Sequence, residues 1–332
     1  MVSIKEVADA AGVSTATVSR VLSDKPHVRP DVRQRVLAAV DELNYRPNLV
    51  ARSLRSQQSS TIGLVVSDIR NPFFTAISRA VEDTAHQQGY SVFLCNTDEN
   101  PSKEALYLKV LQDENVAGII FSPTRQSAEN FSSLKVQMPT VVVDRTVRDV
   151  DLDTVLIDNI ASAYRLADHL LQNGYTRIGA IFGEASTTGR QRRIGFEEAL
   201  HAHSISPDPD LIRYVQPRTE AGCAAVKEML TSDQPPQAIF TSNSLLTAGA
   251  LLAIRQLGFS IPGDVGLVGF DETTWSLLVD PAITLIAQPT ADIGTTAAEL
   301  LLERIADPER PTRTVTLKGQ LMIRGSSAPQ ED

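Results

Sequence analysis

Ten short apolar runs, separated by stretches with helical spacing, restrict most strongly how this chain can fold. The runs are rich in Val, Ile and Leu and form two groups on either side of about residue 160; they read TIGLVVS, SVFLCN, AGIIFS, TVVVD and TVLID, then RIGAIFG, LIRYV, QAIFTS, GLVGF and TLIAQ. Strands of this kind alternating with helices indicate parallel sheets covered on both faces. Two groups of similar size predict two doubly wound subdomains with a ligand cleft between them.

The bulk composition is that of an ordinary globular protein. The chain has 332 residues, which suits two or three domains, with 42% hydrophobic and 21% charged residues. No apolar run approaches the roughly 18 residues that cross a bilayer, and the start MVSIKEVADA lacks the apolar core of a signal peptide. Cys95 and Cys223 lack metal-ligand spacing, and Cys95 is expected to be a buried free thiol. We therefore expect a cytoplasmic protein without a metal or cofactor.

Charge is distributed unevenly along the chain. Residues 1–60 contain nine Lys and Arg against six Asp and Glu, whereas the whole chain has 31 against 40 and a net charge of -9. Such asymmetry is more informative than the net charge alone. A basic head can contact phosphates while the acidic body stays clear of them.

The first 45 residues show three short helical patterns. Ser3 is expected to cap the first helix and Gly12 to end it, Ser14 to cap the second, and Pro30 to begin the third. The small Ala8, the turn Gly12 and the apolar Val18 have the spacing of a helix-turn-helix, although a generic helical hairpin is the alternative. The residues expected to face inward are Ile4, Val7, Ala8, Ala11, Val18, Val21, Leu22, Val32, Val36, Leu37, Val40 and Leu43.

The second helix of such a motif lies in the major groove of DNA. At its exposed face, Thr15, Ala16 and Arg20 would reach base edges. Arg20 can pair bidentately with guanine, whereas Ala16 offers only apolar contact, for example to a thymine methyl group. Three hydroxyl side chains are sized for hydrogen bonds to phosphates or base edges: Ser14, Thr17 and Ser19.

The head sequence IKEVADAAGVSTATVSRVLSDKPHVRPDVRQRVLAAVDELNYRPNLVARSLRS resembles that of the LacI/GalR family of bacterial transcription repressors. The body motifs IGLVVSDIRNPFF, AGIIFSP, GYTRIGAIFG, RRIGFEEAL, QAIFTSN, VGLVGFDET and LIAQP follow in the family's order. The resemblance implies a helix-turn-helix head joined to an α/β body with two subdomains of periplasmic-binding-protein type. The implied divisions are residues 1–46 for the DNA-binding domain, 47–59 for the hinge helix and linker, 60–159 with 289–317 for the effector-binding N-subdomain, and 160–288 with 318–332 for the C-subdomain.

The resemblance also implies how the linker meets DNA. Residues from Asn48 to Leu54 would form a hinge helix in the minor groove, with Leu54 wedged between the central base pairs, where a CG step is expected, and Ala51 letting two such helices approach. Leu54 as a simple packing residue of the linker is the alternative. Arg52 would hold phosphates, and His27 would meet a phosphate or base edge. Paired hinges imply a homodimer on a pseudo-palindromic operator.

An effector site between the subdomains follows from the same resemblance. Planar amide, carboxylate and guanidinium groups can make paired hydrogen bonds to vicinal hydroxyls, and Phe73 or Trp275 would offer an apolar face. Asn71 and Asp271 could instead cap the helices that follow them, Arg192 could be a surface ion-pair partner, and ligand contact by Asp68 stays open. The implied effector residues are Asn71, Phe73, Asp144, Arg145, Arg192, Asn243, Asp271, Trp275 and Gln288.

One departure from the family pattern bears on the effector's charge. Many members have Asn-Asp where this chain has Asn243-Ser244. With Arg145 and Arg192 nearby, the missing carboxylate favours a sugar acid or keto-sugar acid over a neutral sugar. We expect this effector to release DNA; a corepressed regulator is the alternative, and a sugar-transport protein a distant one. An enzyme is not expected, because the chain has neither a GxGxxG turn nor a Walker A motif.

Overall fold

The structure is a computed structural model that describes residues 2–22, 28–45, 59–184 and 187–328. The described residues group into two compact units, within Met1–Ser59 and within Ser60–Asp332. We call the first unit the head and the second the body.

The described residues of the head form three helices: α1 (Ile4–Ala11), α2 (Thr15–Leu22) and α3 (Pro30–Glu42). The predicted caps are confirmed. Ser3 caps α1 in a capping box with Glu6, and Gly12 ends that helix in the left-handed conformation at φ 63°. The Ser14 hydroxyl accepts the Thr17 backbone N–H at 3.2 Å, and Pro30 is the first residue of α3.

The apolar faces of the three helices meet in one small core. Fully buried members are Val7, Ala8, Ala11, Val18, Val21, Val36 and Ala39. The expectation that Leu37 faces inward is wrong, because 46% of its surface is exposed. Val36, Ala39 and Val40 form the inward-facing stripe of α3. Leu37 lies beside this stripe and faces away from the core.

The first half of the body, the N-subdomain, contains a six-stranded parallel sheet. Its strands are β1 (Thr61–Val66), β2 (Ser91–Asn96), β3 (Ile119–Phe121), β4 (Thr140–Val143), β5 (Asp153–Ile157) and β11 (Thr314–Leu317). They lie in the order β11-β5-β4-β3-β1-β2, so β2 is an edge strand. Helices of this half are α4 (Pro72–Gln87), α5 (Pro101–Asp113), α6 (Arg125–Glu129) and α12 (Thr290–Ala306).

The second half, the C-subdomain, repeats this arrangement. Its strands are β6 (Ile178–Gly183), β7 (Ile212–Val215), β8 (Ala238–Thr241), β9 (Gly266–Phe270), β10 (Thr284–Ala287) and β12 (Gln320–Met322). They lie in the order β12-β10-β9-β8-β6-β7, and only β12 is antiparallel to its neighbour within this sheet. Its helices are α7 (Asn159–Gln172), α8 (Thr187–Ala202), α9 (Thr219–Leu230), α10 (Ser244–Gln256) and α11 (Thr274–Leu278).

Both faces of each sheet are covered by helices, as the continuous apolar strands predict. One N-subdomain core joins β1 to α4 and α12, and a second joins β1 and β3 to α5. In the C-subdomain, α7 and α8 cover one face and α9 and α10 the other. Gly294 marks the crossing of α12 over α4, where a Cβ would lie 2.7 Å from the Ile77 carbonyl oxygen.

All ten predicted strands are confirmed, and β11 and β12 were not predicted. Both cysteines are free, but Cys95 is half-buried rather than buried because β2 lies at the sheet edge. Among the described residues, none of the helices combines the length and apolar character that crossing a membrane requires.

Candidate functional site

A partly open cleft of about 630 Å³, a volume that includes its space open to solvent, lies where the carboxyl ends of strands from both sheets meet. Ser67 and Asp68 follow β1, Asp144 and Arg145 follow β4, and Asp271 follows β9. Ligand sites in open parallel sheets form at this edge, since loops there can converge without interrupting the sheet. The lining residues are Ser67, Asp68, Asn71, Phe73, Phe74, Glu99, Asp144, Arg145, Gly183, Thr188, Gly189, Arg192, Pro217, Ser242, Asn243, Leu245, Asp271 and Gln288.

Two aspartates occupy matching places in the two sheets. Asp144 directly follows β4 at φ 68°, and Asp271 directly follows β9 at φ 70°. Their backbone N–H groups donate to Val155 and Ile286 carbonyls at 3.1 and 2.9 Å. Left-handed backbone is uncommon for non-glycine residues and is concentrated at functional sites. Each sheet thus presents one nearly buried carboxylate to the cleft.

Arg145 is held by acidic partners inside the N-subdomain. Its Nη1 donates to Glu99 Oε2 at 3.0 Å and to the Pro123 carbonyl at 2.6 Å, and its Nη2 donates to Glu99 Oε1. Its Nε lies 3.5 Å from Asp144 Oδ2. Burial raises the pKa of the Asp144 carboxyl, against the opposing effect of Arg145 and Arg192. The positive charge of Arg145 is therefore already matched by protein carboxylates.

Arg192 is placed differently. It is 4% exposed, its Nε donates to Asn159 Oδ1 at 2.8 Å, and its Nη1 donates to the Ser242 carbonyl at 2.5 Å. Its guanidinium carbon lies 4.1 Å above the centre of the Phe270 ring. Arg192 is thus buried and bound to neutral groups, so the surface ion-pair alternative is wrong. Burial lowers the pKa of Arg192, and Asp271 and Asp144 partly oppose this.

The two asparagines of the cleft cap helices. Asn71 Oδ1 accepts the Phe73 N–H at 3.1 Å at the start of α4, and Asn243 Oδ1 accepts the Leu246 N–H at 2.9 Å at the start of α10. The Ser244 hydroxyl donates to Asn71 Oδ1 at 3.5 Å and so links the two subdomains, although Ser244 itself does not line the cleft.

Asp271 and Gln288 are joined at the cleft floor. Gln288 Nε2 donates to Asp271 Oδ1, which leaves Gln288 Oε1 buried without a hydrogen-bond partner among the described residues. The other carboxylate oxygen, Asp271 Oδ2, accepts the Ser244 N–H at 3.3 Å. Asp271 therefore supports the start of α10. The alternative, that Asp271 caps α11, the helix that follows it in sequence, is wrong. Gln288 Oε1 is therefore an acceptor without a donor among the described residues.

The two aromatic candidates are separated by the fold. Phe73 lines the cleft and packs edge-on against Phe74, with ring centres 5.1 Å apart. Trp275 does not line the cleft. It is half-buried on α11 and packs against the apolar cluster of α9 and α10. The apolar wall therefore comes from Phe73 and Phe74.

Several lining residues were not predicted, above all Glu99, whose partner Arg145 lies 46 positions along the chain. Glu99 adopts φ 57° in the turn after β2, and no local pattern marks this contact. Asp68, left open above, lines the cleft and is held by Arg70, whose Nε and Nη2 donate to its two oxygens at 2.9 Å each. Among the described residues, no group of three metal-ligating side chains comes together.

The head presents the predicted reading residues on its surface. Ser14, Thr15, Ala16 and Arg20 are exposed, and Thr17 and Ser19 are half-exposed, all within or directly before α2. The remaining predicted DNA contacts lie outside the described residues: His27, Asn48, Ala51, Arg52 and Leu54.

Two family models match the chain. Residues 3–48 match "Bacterial regulatory proteins, lacI family", and residues 59–324 match "Periplasmic binding proteins and sugar binding domain of LacI family". The first covers the three helices of the head, and the second covers nearly all of the body. The transport-protein alternative is therefore set aside, since the head belongs to a DNA-binding family.

Individual relatives match most or nearly all of the chain. The transcriptional regulator PtxS of Pseudomonas aeruginosa is 36% identical over 99% of this chain and 96% of its own. A lac repressor dimer bound to operator and the anti-inducer ONPF aligns with a TM-score of 0.88 at 26% identity, covering 98% of this chain and 99% of its own. A LacI-family regulator of Enterococcus faecium with bound ribose has a TM-score of 0.72 at 31% identity, covering 82% and 100%. The chain belongs to the LacI family of DNA-binding transcriptional regulators, which respond to small-molecule effectors.

Proposed function

We propose that this protein is a homodimeric repressor released from a pseudo-palindromic operator by a small carbohydrate acid. The sugar acid or keto-sugar acid would bind in the cleft between the N-subdomain and the C-subdomain. The protein would act by binding rather than by catalysis, in the cytoplasm and without a cofactor. The domain divisions implied by the family resemblance form part of the proposal.

The observation that carries the effector class is the environment of Arg192. A buried guanidinium with only neutral hydrogen-bond partners has lost its hydration without gaining an adjacent counter-charge. A ligand carboxylate in the cleft would supply that charge through a charge-assisted hydrogen bond. Arg145 is less suited to bind a ligand carboxylate, because its charge is already paired with Glu99 and Asp144.

The other groups of the cleft suit the hydroxyls of the same ligand. The Asp271 and Asp144 carboxylates can accept from hydroxyls, and Gln288 Oε1 is a buried acceptor without a donor in the part of the chain that the structure describes. Phe73 offers an apolar face to the carbon side of a sugar. The similar Enterococcus faecium regulator binds ribose, which supports the carbohydrate part of the proposal.

A neutral sugar is the second candidate. Four carboxylates line the cleft, those of Asp68, Glu99, Asp144 and Asp271, against the guanidinium groups of Arg145 and Arg192. This excess of negative charge would disfavour an anion placed away from Arg192. The proposal therefore requires the ligand carboxylate to lie next to Arg192 rather than elsewhere in the cleft.

An exposed apolar patch supports the homodimer. Phe93 and Leu94 of the edge strand β2 are 50% and 48% exposed, and Leu106 and Val110 on one face of the following helix α5 are 56% and 44% exposed. An open sheet edge with apolar side chains is a surface that proteins normally cover. We infer that a second copy of the chain covers it, in keeping with the similar lac repressor, which is a dimer on its operator.

The coupling we propose is a difference in effector affinity between the DNA-bound and free states. Effector binding would close the cleft, change the spacing of the two N-subdomains in the dimer, and disfavour the hinge helices in the minor groove. If the effector instead binds the DNA-bound state better, the same cleft makes a corepressed regulator.

Calorimetry of the purified protein against neutral sugars, polyols, sugar acids, keto-sugar acids and sugar phosphates tests the effector class. The proposal expects the tightest binder to carry a carboxylate and to lose affinity at low pH, as that carboxylate is protonated. Tight binding confined to uncharged sugars would contradict it and would favour the second candidate.

A further inference from the structure

A fully buried glutamate, Glu104, lies outside the cleft and binds a loop that contacts Arg145. It lies on α5 and is 0% exposed, together with Leu108 and Leu111 on the buried face of that helix. Its Oε2 accepts the Thr124 backbone N–H at 2.7 Å, and its Oε1 accepts the Thr124 hydroxyl at 3.2 Å and the Ser127 hydroxyl. Among the described residues, no Lys, Arg or His lies within ion-pair distance of it. Burying a carboxylate that has only hydroxyl and amide donors costs desolvation free energy, so the question is what this glutamate holds in place.

The donors of Glu104 belong to the segment that carries an arginine contact. Residues 122–124 connect β3 to α6, and the Pro123 carbonyl in the middle accepts Arg145 Nη1 at 2.6 Å. The segment is fixed at its start by the Ser122 N–H, which donates to the Val65 carbonyl at 2.9 Å. At its end, Glu104 binds both the backbone and the side chain of Thr124. The direction of the Pro123 carbonyl is therefore set by these two attachments.

The Pro123 carbonyl is one of the partners that hold Arg145, which is 4% exposed. Another is Glu99, in the turn after β2, where Asp98 and Glu99 both adopt the left-handed conformation. Burial alone would lower the pKa of Arg145, but Glu99, Asp144 and Glu104 together raise it. Glu104 thus acts on Arg145 through the backbone and through its charge.

We propose that Glu104 is a positioning residue of the effector cleft, which aims Arg145 by holding the Pro123 carbonyl through Thr124 and Ser127. A glutamine at this place would replace one carboxylate oxygen by an NH₂ group, so the Thr124 and Ser127 hydroxyls would have to accept from it instead of donating to it. Charge-assisted hydrogen bonds would then become weaker neutral ones. The importance of this for effector binding rests on the proposed function, but the positioning itself can be tested without any effector.

Phenylglyoxal, which modifies accessible guanidinium groups, is the probe. Its reaction with the full-length protein is followed at Arg145 and Arg192 by peptide mass spectrometry. In Glu104→Gln, we expect modification of Arg145 to be faster by about fivefold, the factor that ~1 kcal/mol of lost hydrogen bonding gives. Arg192, on the opposite side of the cleft, serves as the internal standard and should react at the wild-type rate.

Thr140→Val is the matched control variant. It removes another buried hydroxyl of the N-subdomain, which donates to the Met138 carbonyl at 2.9 Å and has no contact with the 122–124 segment. Ser127→Ala removes one of the donors to Glu104 and should give a smaller acceleration at Arg145. General loosening of the fold would accelerate Arg145 and Arg192 together, and in Thr140→Val as well; that result, or an unchanged Arg145 rate in Glu104→Gln, would overturn the proposal.

The outcome for the proposed function is read separately. If Arg145 becomes reactive in Glu104→Gln but no carbohydrate acid binds the wild-type protein, the positioning role stands and the effector class is wrong. If a carbohydrate acid binds with equal affinity to wild type and Glu104→Gln while Arg145 reactivity is unchanged, Glu104 has only a structural role.

Discussion

At the scale of single residues, the sequence indicated which side chains converge but not how their charges are matched. Eight of the nine implied effector residues line one cleft, and Trp275 does not. Because strand ends in parallel sheets share one edge, residues directly after a strand could be placed from sequence. Glu99 could not, since its contact with Arg145 is made across 46 positions. Glu104 did leave a signal, a carboxylate on the apolar stripe with Leu108 and Leu111.

Arg192 gives the residue-scale prediction. Arg192→Met keeps the length of the side chain over Phe270 but removes the charge and the donors. We expect affinity for a carbohydrate acid to fall about 10- to 100-fold, which is the range for a lost charge-assisted hydrogen bond. Calorimetry with the acid and with the corresponding neutral sugar measures the selectivity.

Arg193→Met is the control for that variant, because Arg193 is adjacent in sequence but pairs with Glu197 at 2.6 Å and does not line the cleft. It should leave both affinities unchanged. Equal losses for the acid and the neutral sugar in Arg192→Met would mean that Arg192 supports the fold of the cleft and does not select charge.

At the scale of elements, long apolar strands and capped helices were predictable, whereas short half-exposed strands were not. The ten predicted strands have continuous Val, Ile or Leu runs, and the helix caps at Ser3 and Gly12 were marked by residue type. β11 alternates exposed and half-buried residues. β12 is as short as the buried β3, but its three residues are exposed or half-buried. Their place is fixed by pairing with β5 and β10, a tertiary effect that no local pattern contains.

Helix α2 carries the first element-scale prediction. Arg20→Ala should lower affinity for an operator selected from random DNA by about 10- to 100-fold, corresponding to 1–3 kcal/mol for one bidentate base contact. Fluorescence anisotropy measures the affinity, and circular dichroism verifies the helix content. Arg79→Ala is the control, since Arg79 lies on the body surface and pairs with Asp83. Equal operator affinity of Arg20→Ala and wild type would exclude Arg20 from base contact.

The second element-scale prediction concerns the pH dependence of stability. It involves the short 3₁₀ turn Gly325–Ser327 near the C-terminus. His169 Nε2 lies 2.8 Å from the Ser327 hydroxyl, which itself donates to Thr284 Oγ1 at 2.7 Å. Burial lowers the pKa of His169, so between the folded and unfolded pKa values the unfolded chain binds more protons. The contribution of His169 to stability is therefore full above the unfolded pKa of about 6.5 and is lost as the pH falls below it.

Thermal unfolding at about pH 7.5 and pH 5.5, on either side of that value, measures this effect. In His169→Gln, whose amide can still donate to Ser327 but does not titrate, the unfolding midpoint should fall less between the two pH values than in wild type. Parallel decreases in the two proteins would contradict the assignment of the pH dependence to His169.

At the scale of the whole molecule, the division into a DNA-reading head and a two-sheet body followed from charge asymmetry and strand grouping, but the assembly is a prediction. Leu94→Glu should convert the homodimer into monomers, because it places a charge on the exposed apolar edge of β2. Sedimentation velocity measures the species present. Ile194→Glu, on the exposed face of α8, is the control and should stay dimeric. Unchanged dimerisation of Leu94→Glu would place the interface elsewhere.

The most direct test of the account is an effector titration into the operator complex of the full-length protein, with DNA occupancy followed by anisotropy. The account predicts that a carbohydrate acid releases the operator from wild type and that Arg192→Met needs a much higher concentration of the same acid. Tighter operator binding on addition of the acid would reverse the proposed coupling, and release by neutral sugars alone would contradict the role given to Arg192.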